Sequence, residues 1–136
     1  MSLEKEQVRK FYTQIWNQQR HDVISEVLHE AVRFRGSLGQ EVSGHAGFAE
    51  YLDLVHSALG DYECTIEQLV AESNRVFAKM MFTGVHKGSF MGYAPTEASV
   101  SWAGAALFTF DAGKVIDLWV LGDLTSLEQQ LKNAQA

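Results

Sequence analysis

Helical spacing dominates this chain as far as Leu59 and strand alternation from Tyr62 to Gly122, and that order restricts the fold more than any other property of the sequence. Val8, Phe11, Tyr12, Ile15 and Trp16 recur at the i, i+3, i+4, i+7, i+8 positions of one helix face, and Glu4 and Glu6 suit a first turn, so a helix is expected over about residues 3 to 17. Asp22 is placed to cap a short second helix carrying Val23, Val27 and Leu28, after which Ala31–Arg35 alternates like a strand. A third helix, with Phe48, Leu52, Val55 and Leu59 on one stripe, is expected from about Ala46 to Leu59, stopping at Gly60 in a left-handed cap. Strands are expected at Tyr62–Val70, Arg75–His86, Val100–Phe110 and Val115–Leu121, the last two joined by Asp111-Ala112-Gly113-Lys114 with Gly113 at positive φ. Thr125-Ser126-Leu127-Glu128 reads as the capping box of a closing helix.

Helices first and strands after is the α+β pattern. It predicts a strongly curved antiparallel sheet, its concave face covered by the N-terminal helices, enclosing a cavity rather than a solid core. Gly84, Gly88, Gly92, Gly104 and Gly113, within or beside the strands, are the expected causes of the curvature. If Lys79 faces water, then Val76, Ala78, Met80, Phe82 and His86 face inward.

One domain over residues 1–136 is expected, large enough to bury roughly two thirds of its unfolded surface. With 11 basic and 17 acidic residues the net charge is −6, and no cluster of Lys and Arg exceeds two, so neither nucleic acid nor a membrane surface is an expected partner; a small apolar or aromatic molecule is. Met1–Glu6 holds no apolar signal core, and no apolar run approaches the ~20 residues of a membrane span, which predicts a cytoplasmic protein. Cys64 is expected as a buried, inert thiol. His21, His29, His45, His56 and His86 lack close metal-ligand spacing, and no phosphate loop, Gly-x-Gly-x-x-Gly or His-Glu-x-x-His is present, so neither a metal nor a nucleotide cofactor is expected. Phe34–Gln40, rich in glycine, suits a mobile rim over the cavity; Arg35 beside it suits carboxylate recognition or, more simply, an exposed strand face.

Asp123 stands out at the end of the last apolar strand. Aspartate is depleted in strands and is rarely buried without a partner, so an Asp sharing the side-chain parity of Trp119 and Leu121 is either bonded or kept for chemistry. Trp16, Phe34, Tyr51, Phe82, Trp102 and Trp119 can line a pocket for a flat aromatic molecule, although each also suits ordinary core packing. His56 shares a helix face with Phe48 and Leu52 and points the same way.

Gly84-Val85-His86-Lys87-Gly88-Ser89-Phe90-Met91-Gly92-Tyr93-Ala94-Pro95-Thr96, then Asp111–Trp119, then Asp123 with Gln130-Leu131, resemble in combination the SnoaL-like polyketide cyclase, or ester cyclase, family. The resemblance extends upstream through Phe11–Asn17 and Gly44–Phe48. It implies the cone-shaped α+β barrel of the nuclear transport factor 2-like (cystatin-like) folds, often a homodimer. It also implies intramolecular aldol-type ring closure on an aromatic polyketide ester without metal or organic cofactor, with Asp123 as acid/base. His86 matches a histidine of the family and suits bonding to Asp123, holding a substrate carbonyl, or satisfying a backbone group. The chain departs from the pattern at Leu107 and Thr109, where a polar pair including a histidine is expected, and at the turns Ala94–Glu97 and Gln18–Asp22. Other readings are a ketosteroid-isomerase-like or epoxide-hydrolase-like enzyme on the same fold, a non-catalytic binder of small molecules, and a dimerisation module.

Overall fold

The computed structural model describes residues 3–135; Met1, Ser2 and Ala136, which fall in the expected domain span, lie outside the described residues. The element order is helix α1 (Leu3–Lys10), a π-helix (Phe11–Trp16), a 3-10 turn (His21–Val23), α2 (Ile24–Val27), strands β1 (Leu28–Arg35) and β2 (Glu41–Ser43), α3 (Gly44–Ala58), strands β3 (Leu59–Glu72), β4 (Arg75–His86), β5 (Ser99–Asp111) and β6 (Lys114–Gly122), and α4 (Leu124–Ala134). The strands form one six-stranded sheet in the order β2-β1-β6-β5-β4-β3. This is the α+β architecture expected from the pattern. The sheet is not wholly antiparallel, because β1 runs parallel to β6, with Phe34 opposite Leu118 and Arg35 opposite Trp119. That pairing brings the N-terminal half back across the sheet.

The first helix does not continue as an α-helix to residue 17. From Phe11 it widens into a π-helix in which the Asn17 amide donates to the Tyr12 carbonyl at 2.9 Å, an i to i+5 bond. Phe11, Tyr12, Ile15 and Trp16 are all buried, so the wide turn packs four large side chains into the concave face of the sheet. Asn17 closes the segment by bonding Cys64 twice, its Nδ2 donating to the carbonyl at 3.0 Å and its Oδ1 accepting from the amide at 2.7 Å. The side-chain amide thereby stands in for a strand partner on the free edge of β3.

Asp22 does not cap a helix; its carboxylate pairs with Arg20 at 2.7 Å, and that guanidinium holds the carboxyl below the usual carboxylate range. At the end of α3 there is no left-handed glycine cap, because Leu59 is already extended and Gly60 belongs to β3. The closing helix is capped by Asp123, whose Oδ1 accepts from the Ser126 amide at 3.1 Å, rather than by Thr125. The turn at Ala112-Gly113 has positive φ at Gly113, as expected, and also at Ala112, where none is expected.

The glycines do not explain the curvature as expected. Register shifts fall between Gly60 and Glu63 and between Ile66 and Gln68 on β3, and between Thr109 and Phe110 on β5. Gly104 is needed for packing instead: a Cβ there would lie 2.3 Å from Cε2 of Phe82 and 3.2 Å from the Leu121 carbonyl oxygen. The absent side chain lets the Phe82 ring lie flat on β5.

Alternation on the long strands divides the sheet cleanly. On β4, Val76, Ala78, Met80, Phe82 and His86 are buried and Lys79 is exposed, as the pattern requires. On β6, Leu118 and Val120 enter the core while Trp119 and Leu121 remain 43% and 48% exposed. Phe108, fully buried towards the end of β5, meets Phe11 and Tyr12 edge-on at 5.5 and 5.9 Å and seats the π-helix on the sheet.

Candidate functional site

Between the π-helix, α3 and the concave face of the sheet lies an aromatic hollow. Its walls include Tyr12, Trp16, Phe34, Tyr51, Phe82 and Trp102, which reach it from the π-helix, β1, α3, β4 and β5. The rings meet largely edge to face: Trp16 with Tyr51 at 6.1 Å and with Tyr62 at 5.5 Å, and Phe34 with Tyr51 at 5.2 Å. Atom-free space in the hollow amounts to about 370 Å³, but it is narrow, and only about 20 Å³ of it admits the centre of a water molecule. That is room for about one water. The expected cavity exists, therefore, but its aromatic lining nearly fills it.

The polar groups of the hollow are few and neutral. Burial pushes the Tyr51 phenol up to about 12, against bonds to Ser37 and the Leu38 backbone that lower it, and burial raises Tyr12 and Tyr62 well above the ordinary phenol range. The Cys64 thiol, also raised by burial, is the inert group expected. Two groups in the lining are buried without a protein partner: the Tyr12 hydroxyl and the Trp102 Nε1. Among the described residues no carboxylate, imidazole or cationic side chain lines the hollow. The interior can bind and orient a ligand by hydrogen bonding, but any base has to act from its rim.

Asp123 does not line the hollow. Its carboxyl is exposed to solvent and its Oδ1 is engaged by Ser126. The shared parity with Trp119 and Leu121 does not lead inward, because β6 already gives Leu118 and Val120 to the core and alternation turns the other set out. The residue before Asp123 does reach the hollow's wall: a Cβ on Gly122 would lie 3.0 Å from Trp102 Nε1 and 3.1 Å from Ser37 Cβ. Gly122, the chain neighbour of Asp123, therefore packs beside the unbonded indole N–H.

Five of the residues singled out as pocket-lining, Trp16, Phe34, Tyr51, Phe82 and Trp102, come together here. Trp119 does not. It lies on the outer face with the Arg35 guanidinium 5.8 Å from its ring centre, and Arg35 donates to the Val120 and Gly36 carbonyls. His56 sits behind the wall, where its Nε2 donates to the Trp16 carbonyl at 2.8 Å and its ring stacks on the indole at 6.1 Å. Burial lowers its pKa, and its neutral ring holds Trp16 in place. His86 is fully buried with neither ring nitrogen bonded, so it is not joined to Asp123; Phe90, which lines the hollow, lies against it at 6.3 Å.

Sequence reasoning missed several wall residues, Tyr12, Tyr62, Phe90 and Val120 among them. Alternation on β6 could have found Val120, but nothing periodic marks Phe90, which sits in the irregular stretch after β4. Ser37 and Leu38 of the glycine-rich stretch after β1 also border the hollow, where a rim was expected. Leu107 and Thr109, where the resemblance implies a polar pair, face away from it, opposite Trp119 and Asp117 on β6.

The profile of the SnoaL-like polyketide cyclases matches residues 6–131. Among solved structures, the chain is similar to a protein from Jannaschia sp. CCS1 provisionally assigned as a SnoaL-like polyketide cyclase, with 23% identity over 95% of this chain and 91% of that one and a TM-score of 0.86. It is similar also to AclR from Streptomyces galilaeus, provisionally assigned as a hydroxylase, with 25% identity over 96% and 81% of the two chains and a TM-score of 0.81. TsrD from Streptomyces laurentii shares 22% identity over 95% and 94%, with a TM-score of 0.84. No curated protein sequence matches the chain.

Proposed function

The chain belongs to the SnoaL-like polyketide cyclase family, and from that premise we propose that it receives a flat apolar or aromatic carbonyl compound in the hollow and closes a ring in it by proton transfer at Asp123. The observation that carries this reading is the unbonded Trp102 N–H, buried in an otherwise apolar wall and adjacent to Gly122. A buried donor without a partner is costly, and a ligand carbonyl relieves that cost.

The reaction needs no cofactor. The Asp123 carboxylate removes a proton from a methylene lying between two carbonyls, and the resulting enolate carbon attacks a second carbonyl of the same molecule. The alkoxide so formed takes the proton back from Asp123. A ligand that reaches Gly122 also covers the carboxylate and strips water from it, which makes it a stronger base. Trp102 holds the carbonyl on which the enolate charge develops.

Trp102→Phe keeps the ring packing and removes the donor. Affinity for a flat ketone such as 2-acetylnaphthalene, measured by titration calorimetry, should fall roughly tenfold while folding stability holds or rises slightly. Equal affinity in the two proteins would remove Trp102 from the role, and no binding to either would reject the hollow as a ligand site.

A second reading, a non-catalytic binder, is favoured by one specific observation: Asp123 is exposed and serves as a helix cap. The two readings share the bound ligand and differ in whether it is turned over.

The protein acts, in this proposal, as a homodimer joined through the outer sheet face. Val70, Phe77, Leu107 and Trp119, each at least 36% exposed, pair in one register across β3, β4, β5 and β6. The apolar row is about 15 Å long at the usual strand spacing. Lys79 with Glu67 and Arg33 with Asp117 place both signs of charge beside it, so two copies can meet without like charges opposed. Leu107→Lys should convert the dimer to a monomer in sedimentation velocity, with the fold intact by circular dichroism. A wild-type protein that sediments as a monomer at ~100 μM, a concentration at which even weak specific contacts form, would reject this interface.

A further inference from the structure

We infer that Phe90 is a movable partition in the hollow and that His86 behind it is a second polar anchor, so that the ligand is an elongated flat compound carrying a hydroxyl or carbonyl at its leading end. This rests on the reading of the hollow as a small-molecule site. In its present form the hollow takes about one water, so a ring compound enters only if part of the wall moves. Most of that wall belongs to the sheet, the π-helix and α3, where displacement breaks packed elements. Phe90 belongs instead to the irregular stretch between β4 and β5, flanked by Gly88 and Gly92.

The stretch is anchored at its start, where the Lys87 and Gly88 amides donate to the Ala58 carbonyl at 2.9 and 3.0 Å, and is more lightly held from Phe90 on. Phe90 and Tyr93 exchange backbone bonds of 3.0 and 2.9 Å, and two side-chain bonds tether the turn to the C-terminal helix segment, Tyr93 Oη to Glu128 at 3.3 Å and Gln135 Nε2 to the Ala94 carbonyl at 2.8 Å. A swing of the Phe90 ring exposes His86 to the hollow. His86 follows Phe82 and Gly84 on the inward row of β4, about 13 Å along the strand from Phe82; Leu59 and Tyr62 pack over Gly84, so the way to His86 is past Phe90. The His86 backbone is already satisfied, its amide donating to Ala98 and its carbonyl accepting from Glu97, whereas both ring nitrogens lack a protein partner at zero exposure. A neutral imidazole offers one donor and one acceptor, which a hydroxyl matches fully and a carbonyl by half. Such a pair at the dry end of an apolar slot selects for a polar leading edge.

The test compares 2-naphthol with naphthalene, the same flat body with and without the hydroxyl. In wild-type protein, 2-naphthol should bind roughly tenfold tighter than naphthalene by calorimetry, and His86→Phe should erase that difference while leaving naphthalene affinity in place. Phe90→Ala should tighten both ligands and admit 2-anthrol; Phe90→Leu serves if the alanine variant fails to fold. Addition of 2-naphthol to ¹⁵N-histidine-labelled wild-type protein should shift the His86 ring nitrogens, a readout independent of any variant. Binding of 2-naphthol with unmoved His86 signals and unchanged affinity in His86→Phe would overturn the inference and leave the hollow as a ligand site. Failure of both ligands to bind wild type and Phe90→Ala would overturn the inference and that reading together.

Discussion

Asp123→Asn should lower ring-closure turnover by about two to four powers of ten while leaving ligand affinity and thermal midpoint nearly unchanged. The separation follows from the two roles of this side chain. As a cap, Asp123 accepts one hydrogen bond from the Ser126 amide, and asparagine accepts the same bond with similar strength. As a base, it has to hold a proton between two steps, which an amide cannot do. Asp123→Ala removes both roles and should in addition cost about 1 kcal/mol of stability. The assay is single-turnover conversion of an aryl ester with an acidic methylene positioned for internal aldol closure, followed beside calorimetric binding of the same compound. Unchanged turnover in Asp123→Asn would reject the acid/base assignment. Tight binding without turnover in wild type would identify a binder that has kept the fold and the hollow but not the chemistry.

Phe108→Ala should remove about 3–5 kcal/mol of stability, a large share of the 5–15 kcal/mol typical of a domain. Phe108 is fully buried and holds Phe11 and Tyr12 edge-on, so truncation leaves a void between β5 and the π-helix that neither rigid element can close. The measurement is the urea midpoint at unchanged slope. A loss below about 1 kcal/mol would show that the π-helix is not seated on the sheet through this ring.

How far the sequence reveals this molecule depends on what each residue's placement obeys. Strand alternation has a period of two and one buried face, so the inward set on β4 could be read residue by residue, and β4 begins and ends where the pattern says. The same alternation, applied with the wrong set turned inward on β6, put Trp119 and Asp123 in the pocket. Both sets on that strand are apolar, Leu118 and Val120 against Trp119 and Leu121, so hydrophobicity alone could not choose between the faces. The five aromatic residues that meet in the hollow were legible as large apolar groups on core-facing positions, and their assembly into one lining follows from the fold. Phe90 was not legible, since its place is set by a turn with no periodicity. Nor could spacing reveal the unbonded nitrogens of Trp102 and His86, because a missing partner is a property of three-dimensional surroundings. The parallel pairing of β1 with β6 escaped for a related reason: it joins segments far apart in the chain, and no local signal records it.

The wide turn at Phe11–Trp16 has an evolutionary corollary. Each of its loops of backbone contains one more amino acid than an ordinary α-helical loop, so the segment behaves like a locked insertion. Excising a single codon there would let the coil tighten from i+5 to i+4 bonding, an ordinary α-helix, with Val8 and Trp16 still on one face. A one-residue deletion in α1 instead would turn the upstream face by about 100°, so descendants of this gene should lose a letter within the wide turn more readily than beside it.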